Sequence, residues 1–136
     1  MTAGYSGTPL WKKLGYRDGI DCWVYGAPGN YFQMLELPRD VSVRWRERPQ
    51  RGIHFVHLFV KTKSDLEKKL RSLRQTIDPA GTIWVSWPKK SPGVLTDITE
   101  DVVRELALPL GLVDIKVCAV DETWSGLKLM IRKELR

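Results

Sequence analysis

The chain has 136 residues, with 22 Lys+Arg against 16 Asp+Glu, so its formal net charge is +6. Hydrophobic residues make up 43% and charged residues 28%, a composition that excludes a disordered tail or a collagen-like rod. We expect one domain over 1–136, with a turn and short helix in 1–19 and the sheet core in 20–136. The sequence has no apolar run of the roughly 20 residues that span a bilayer, and no signal peptide, so we expect a cytoplasmic protein without a membrane partner.

The cysteines and the basic residues are unevenly placed. Cys22 and Cys118 are isolated in the sequence, and a secreted scaffold of this size would carry more cysteines. We therefore predict two buried, reduced thiols.

Residues 39–74 hold 11 basic and 4 acidic side chains, a balance of +7. Such a segment can bind a polyanion. A solvated helix face beside an Arg-rich loop explains the excess of basic residues as well, and we favour that interpretation.

The N-terminal half predicts short helices and three strands. Thr8 is a suitable N-cap, Pro9 suits the first helical position, and Gly15 suits the end of a short helix. Residues 53–60 form a near-continuous apolar run, which is typical of a strand covered on both faces. The other predicted elements are a strand at 20–25, a brief helix from Asn30 to Leu37 and an alternating strand at 40–45.

The C-terminal half contains the clearest helix signal. Ser64 and Glu67 are spaced as a capping box, and apolar residues then recur at helical spacing as far as Ile77. Asp97 or Thr99 can cap the next helix. The other predicted elements are a strand at 82–87, the end of the second helix near Leu108, and strands at 112–120 and 127–132 that a Gly-containing loop joins as a hairpin.

This order of elements predicts the fold class. Strands separated by helices indicate parallel pairing through right-handed crossovers. We predict an α/β fold, a three-layer Rossmann-like sandwich whose mostly parallel sheet ends in a C-terminal antiparallel hairpin. The last strand carries Lys128, Arg132 and Lys133, charges that would protect a sheet edge. A parallel sheet with a trailing hairpin resembles the fold of class I methyltransferases, reduced to a small core.

That resemblance implies a site for S-adenosylmethionine, built from a Gly-rich turn after the first strand and an acidic residue near the end of the second. The turn here is 25–29, whose two glycines form no GxGxxG series. Pro28 also removes a backbone donor that a cofactor could use. At the end of the second strand stand Arg44, Trp45 and Arg46. We therefore expect no cofactor.

Several longer phrases resemble an uncharacterised family of small bacterial proteins. They are GYSGTPL at 4–10, KKLG at 12–15, WVSWPKK at 84–90 and the stretch from Gly111 to Lys128 that ends in VCAVDETWSGLK. The family has no known activity. The resemblance therefore implies no catalytic residue.

A ligand site is expected at the carboxyl ends of the strands. In open parallel sheets ligands bind beyond these ends, and here the loops that follow the strands collect lysines. The start of a helix at Ser64 adds a preference for an anion such as phosphate. The candidate ligand-binding residues are Lys61, Lys63, Ser64, Lys89, Lys90, Asp121 and Trp124. The alternative is that these loops are polar only because they are solvated.

The sequence holds no recognised catalytic or metal-binding motif. Asp121 and Glu122 could form an acid–base pair, but adjacent carboxylates in a turn more often point apart. His54 and His57 are three residues apart on a predicted strand, so they point to opposite faces and cannot hold one ion together. We predict structural histidines, no catalytic residue and no metal site.

The positions of the tryptophans indicate packing within the protein rather than a binding surface. Trp84 and Trp87 are three apart on one predicted strand, so they lie on opposite faces and at least one belongs to the core. Trp11 and Trp124 could line a pocket or a partner surface, although packing explains them as well. We expect the basic segment 39–74 and these tryptophans to occupy separate surfaces, which argues against single-stranded nucleic acid as a partner.

Together these observations favour a non-catalytic binding or regulatory module on a methyltransferase-like core. The alternative is a binder of a phosphate-bearing small molecule or nucleotide, with or without catalysis, at the lysine-lined rim. The expected partner is then an anionic small molecule, and a homodimer is a further option.

Overall fold

The computed structural model describes residues 7–90 and 93–136. Among those residues, every helix is too short or too polar to cross a bilayer. Short 3-10 turns at Leu108–Leu110 and Lys133–Leu135 accompany the main elements. In chain order these are α1 (Leu10–Leu14), β1 (Asp21–Tyr25), α2 (Tyr31–Leu35), β2 (Arg44–Arg46), β3 (Ile53–Phe59), α3 (Lys63–Thr76), β4 (Ile77–Pro88), α4 (Glu100–Ala107), β5 (Leu112–Val117) and β6 (Trp124–Ile131).

One mixed sheet of six strands organises the described part of the chain, in the order β2-β1-β3-β4-β6-β5. Strands β2, β1, β3 and β4 are parallel, while β6 runs antiparallel to both β4 and β5. The predicted fold class is therefore confirmed. The edge assignment was wrong, because β6 lies inside the sheet and β5 forms the edge. Lys128 on β6 instead faces Lys116 on β5, and its burial, with that neighbouring charge, lowers the pKa of Lys128.

Two apolar layers cover the two faces of the sheet. One contains Leu66 and Leu70 of α3 and Val103 of α4, packed against the sheet. The other contains Leu10 and Leu14 of α1 together with buried residues of α2. The predicted division of the strand tryptophans is confirmed, since Trp87 belongs to the first layer and Trp84 to the second.

The helix starts differ from the sequence prediction. The N-cap of α3 is Thr62, whose side chain accepts a hydrogen bond from Asp65 N at 3.2 Å, so the capping box at Ser64 was wrong. Thr99 caps α4, whereas Asp97 turns to the start of α3 and accepts a hydrogen bond from Lys63 N. The N-cap residue of α1 is Pro9. Tertiary contacts thus decide between caps that local spacing leaves equivalent.

The strand lengths also differ. β2 is three residues long, because only Asp21 to Trp23 of β1 pair with it. β4 begins at Ile77, and the register jump between Ile77 and Thr82 places the predicted turn inside the strand as an irregularity. β6 begins at Trp124 rather than at residue 127, and β5 ends at 117 rather than at 120. The register of β5 with β6 shifts between Asp114 and Lys116, and Ile115 and Val117 of β5 are exposed.

Candidate functional site

The carboxyl ends of β1, β3 and β4 lie at one edge of the sheet, because these strands are parallel. Lys89 directly follows β4, and its Nζ donates a hydrogen bond to the backbone oxygen of Asp121 at 2.8 Å. The carboxylate of Asp121 accepts hydrogen bonds from the backbone nitrogens of Thr123 and Trp124, each at 2.8 Å. The structure therefore brings Lys89, Asp121 and Trp124 together, with both charged groups already engaged in intrachain bonds.

The start of α3, where an anion was expected, holds a carboxylate from the chain itself. Asp97 Oδ1 accepts a hydrogen bond from Lys63 N at 2.6 Å, and Thr96 Oγ1 donates to Lys61 O at 2.7 Å. Lys61, Lys63 and Ser64 are all exposed. An incoming anion would have to compete with Asp97 for the donors of this helix end.

A groove of about 300 Å³ lies beside Lys89 and Lys90, between the end of β4 and the start of α4. Hydroxyl groups of Thr96, Thr99 and Ser125 line it. Its charge is mixed, because the first residue of α4 contributes a carboxylate to the same wall. The seven residues proposed to bind a ligand remain a prediction, with Lys89 and Lys90 as the members that share a cavity.

Trp124 packs inside the protein. It is 9% exposed, and its ring stands edge-on to that of Phe59 with centroids 5.0 Å apart. The sequence predicts Trp124 in a loop. In the structure Trp124 is the first residue of β6 and packs in the apolar layer that also contains Trp84. Its role at the carboxyl edge is therefore to close the layer, which is the packing alternative that the sequence left open.

A chain of buried polar side chains crosses the layer between the sheet and the helices α1 and α2. Tyr16 Oη lies 3.4 Å from Cys22 Sγ and 2.6 Å from Tyr31 Oη. Tyr31 Oη also lies 2.7 Å from His57 Nδ1, and His57 Nε2 lies 2.8 Å from Ser86 Oγ. We call these five residues the buried polar chain. It links α2 and the segment after α1 to three neighbouring strands.

Burial sets the protonation of this chain. It lowers the pKa of His57 to about 3 and raises the pKa of Cys22 to about 12. Burial likewise raises the pKa of Tyr16 and of Tyr31 well above the ordinary tyrosine value. At neutral pH His57 is therefore uncharged, with one ring nitrogen donating a hydrogen bond and the other accepting one. Both cysteines are free and buried, as predicted.

The turn after β1 is tightly built. Gly26 has φ +71°, and a Cβ there would lie 2.5 Å from the backbone oxygen of Phe59. Pro28 offers no N–H, and its oxygen accepts a hydrogen bond from Tyr31 N at 3.0 Å. The helix that follows, α2, has five residues and begins with Tyr31, which is fully buried. Glu47 is exposed directly after the last residue of β2.

Sequence reasoning missed a pair of exposed aromatic rings at the β2 edge of the sheet. Phe32 is 55% exposed and Trp45 is 38% exposed, and their ring centroids lie 4.9 Å apart in an edge-to-face arrangement. Trp45 also packs against Tyr16, with centroids 5.6 Å apart. The signal was present as a tryptophan between two arginines in the basic segment, but the alternation along 40–45 does not tell which face of the strand is exposed.

No family model matches the sequence, and no curated protein matches it. Several solved structures, in contrast, match the fold of this chain. A SAM-dependent methyltransferase from Aquifex aeolicus is 14% identical with a TM-score of 0.65, over 90% of this chain and 87% of that chain. The magnesium protoporphyrin IX methyltransferase from Synechocystis PCC 6803, solved with bound SAM, is 9% identical with a TM-score of 0.60, over 91% of this chain and 74% of that one.

A third match, LepI in complex with SAM, is 14% identical with a TM-score of 0.52. It covers 92% of this chain, which spans about half (47%) of LepI. At these identities the likeness concerns the fold. The chain therefore has a methyltransferase-like Rossmann core, as its strand order and trailing hairpin predicted.

Proposed function

We propose that this protein is a non-catalytic binding or regulatory module built on a methyltransferase-like core. The observation that carries the proposal is that its candidate catalytic side chains already form hydrogen bonds within the protein. The carboxylate of Asp121 holds the turn before β6, and the ammonium group of Lys89 bonds to that same turn. His57 is buried with both ring nitrogens hydrogen-bonded. A general acid or base must reach its substrate with a proton or a lone pair. Both ring nitrogens of His57 are used inside the protein, and Lys89 and Asp121 each hold the turn before β6.

The turn after β1 does not fit S-adenosylmethionine. Cofactor binding at such a turn uses backbone N–H groups at the start of the following helix. Here Pro28 has no N–H, the N–H of Tyr31 is bonded to Pro28 O, and α2 is a single turn that carries little dipole. We derive no methyl-transfer step for this chain.

Glu47 provides the sharpest test of this conclusion. An exposed carboxylate directly after β2 is suited to a ribose hydroxyl, so affinity for the cofactor must be measured directly. Isothermal titration calorimetry with S-adenosylmethionine and S-adenosylhomocysteine is expected to give no saturable heat up to about 1 mM ligand. Micromolar binding that Glu47→Gln removes would overturn the proposal, especially if methyl transfer to any acceptor accompanies it. Glu122→Gln, at another exposed glutamate, is the matched control.

The groove beside Lys89 and Lys90 supports a second candidate function, binding of a phosphate-bearing small molecule or nucleotide. Two lysines and three hydroxyl groups line this groove of about 300 Å³. The test is a thermal shift with inorganic phosphate, ATP and GTP. This candidate requires a rise in melting temperature that Lys89→Ala with Lys90→Ala cancels and that Lys68→Ala with Lys133→Ala, at two exposed lysines away from the groove, preserves. If none of the three ligands shifts the transition, the groove is not a phosphate site.

A further inference from the structure

The β2 edge of the sheet combines exposed rings with excess positive charge. We propose that this surface, made of Phe32, Trp45, Arg44 and Arg48 and called here the β2 surface, binds single-stranded nucleic acid. The expected separation from the basic segment 39–74, which argued against such a partner, concerned Trp11 and Trp124, whereas Trp45 lies within that segment. The proposal deepens the binding function proposed above, because it rests on the view that the protein works by binding and names a partner class.

The rings form a supported platform. Trp45 rests on Tyr16, which is itself buried, and Phe32 stands edge-to-face against Trp45. Rings held in this way lose little conformational entropy when a base stacks on them. Stacking on aromatic side chains is tolerant of sequence, because every base has a π-face. Two adjacent exposed rings also offer a partner a contiguous apolar contact surface.

The charge around the rings is positive and partly compensated. Residues 39–51 contain five arginines and two acidic residues, a balance of 5 − 2 = +3, and the carboxylates of Asp18 and Asp21, which bond to Ser42 and to Arg44 and Arg46, reduce that excess. Arg44 and Arg46 share one carboxylate, that of Asp21, at 3.4 Å and 3.0 Å. Arg48 is exposed and has no ion pair within residues 7–90 and 93–136. This surface therefore attracts a polyanion.

The topology places rings and charges along one open edge. Trp45 pairs with Cys22 of β1 and shares its face of the sheet, while Arg44 and Arg46 project to the other face, towards Asp21. Because β2 is the last strand on this side, both faces border the same open edge. A strand of nucleic acid following this edge could stack bases on the rings and place phosphates near the arginines.

Single strands fit this arrangement better than duplexes. Stacking on a side chain needs an unstacked base, which duplexes do not offer and single strands do. An acidic peptide would pair with the arginines, but its carboxylates offer no π-face to the rings, whereas each nucleotide supplies both a phosphate and a base. These two alternatives become controls in the experiment.

The test is a fluorescence-anisotropy titration of the full chain against labelled oligo-dT and oligo-U of about 12 nucleotides, a typical site size. We expect a Kd of roughly 10⁻⁴ to 10⁻⁶ M at physiological salt, tighter at low salt. Trp45→Ala should weaken binding at least about fivefold, which is the lower end of base stacking on one ring. Trp45→Phe should retain most of the affinity. If Trp45→Ala does not fold, Phe32→Ala at the more exposed ring takes its place.

Two matched pairs of charge reversals distinguish binding at the β2 surface from attraction by the net charge of the protein. Arg44→Glu with Arg48→Glu should weaken binding and reduce the slope of log K against log salt by roughly 0.7 for each lost phosphate contact. Lys68→Glu with Lys133→Glu changes the net charge equally at exposed positions on α3 and after β6, and should leave most of the affinity.

Four results would overturn the proposal: no binding at low salt, equal loss in both charge-reversal pairs, equal affinity for a duplex, or equal affinity for polyglutamate. Each would leave the non-catalytic role standing. Conversely, cofactor binding removed by Glu47→Gln would overturn the non-catalytic role. The oligonucleotide titration uses the parent chain without cofactor, so the two failures are distinguishable.

Discussion

The buried histidine makes the stability of the protein depend on pH. His57 lies on β3 between Tyr31 and Ser86, with both ring nitrogens hydrogen-bonded and no exposure to solvent. Protonation would give both nitrogens a hydrogen and bring a charge into an apolar layer, and burial accordingly lowers the pKa of His57 from 6.5 to about 3. The unfolded chain therefore binds a proton at a pH where the folded chain does not.

The sign and size of the effect follow from this difference. Because the pKa is lower in the folded state, the free energy of unfolding is unaffected by His57 above about pH 6.5 and falls as the pH drops from there towards 3. At pH 5 the unfolded histidine is 1.5 pH units below its ordinary pKa of 6.5, so the loss is about 2 kcal/mol. That is a substantial part of the roughly 5–15 kcal/mol of a typical domain.

Urea unfolding at about pH 7.5, 6 and 5 measures this loss. His57→Gln is expected to be less stable than the parent at pH 7.5, because an amide cannot reproduce both hydrogen bonds, yet to lose about 2 kcal/mol less between pH 7.5 and pH 5. His54→Gln, on the exposed face of the same strand, where His54 Nε2 lies 3.4 Å from Asp78 Oδ2, is the matched control for the loss of a histidine. If His57→Gln and the parent lose equal stability between these pH values, the buried neutral histidine is not the cause.

Three further predictions concern packing, backbone and thiol chemistry. Leu70→Ala, in the fully buried face of α3, should lower the free energy of unfolding by about 2–5 kcal/mol in urea titrations. Gly26→Ala should cost at least about 2 kcal/mol, because φ is +71° and a carbonyl oxygen lies 2.5 Å from the new Cβ, whereas Gly29→Ala meets no atom and should change stability by no more than about 1 kcal/mol. In a Cys118→Ser background, Cys22 should react with a thiol reagent only after unfolding, since burial raises its pKa to about 12, and rapid reaction of the native protein would contradict this.

The fold was predictable where local pattern and burial agree. The apolar run at 53–60 became β3, which is parallel to strands on both sides and buried at all but one of its residues. Period-two geometry separated His54 from His57, and Trp84 from Trp87, onto opposite faces. Such positions follow from the period of a strand and need no knowledge of the neighbouring elements.

The candidate site was less predictable, because distant segments decide it. Asp97 lies 34 residues after Lys63 in the chain, yet its carboxylate binds the start of α3 and competes with the anion that the lysines suggested. Trp124 was assigned to a loop, since only the pairing of β6 with β4 shows that the strand begins there. The exposure of Trp45 was not predictable, because alternation cannot tell that β2 is a three-residue edge strand.

The distribution of polar and apolar groups supports placing function at the β2 edge rather than at the carboxyl edge. At the carboxyl edge the ionisable groups bond to the backbone, as Lys89 does with the backbone oxygen of Asp121 and the Asp121 carboxylate does with Thr123 N. At the β2 edge Phe32 is 55% and Trp45 is 38% exposed. A large aromatic side chain buries about 150–250 Å² when fully covered, so these fractions leave about 200 Å² uncovered, equivalent to about 5 kcal/mol of hydrophobic free energy. A partner that covers the rings gains part of that free energy, whereas a ligand at the carboxyl edge must first break bonds that the fold already makes.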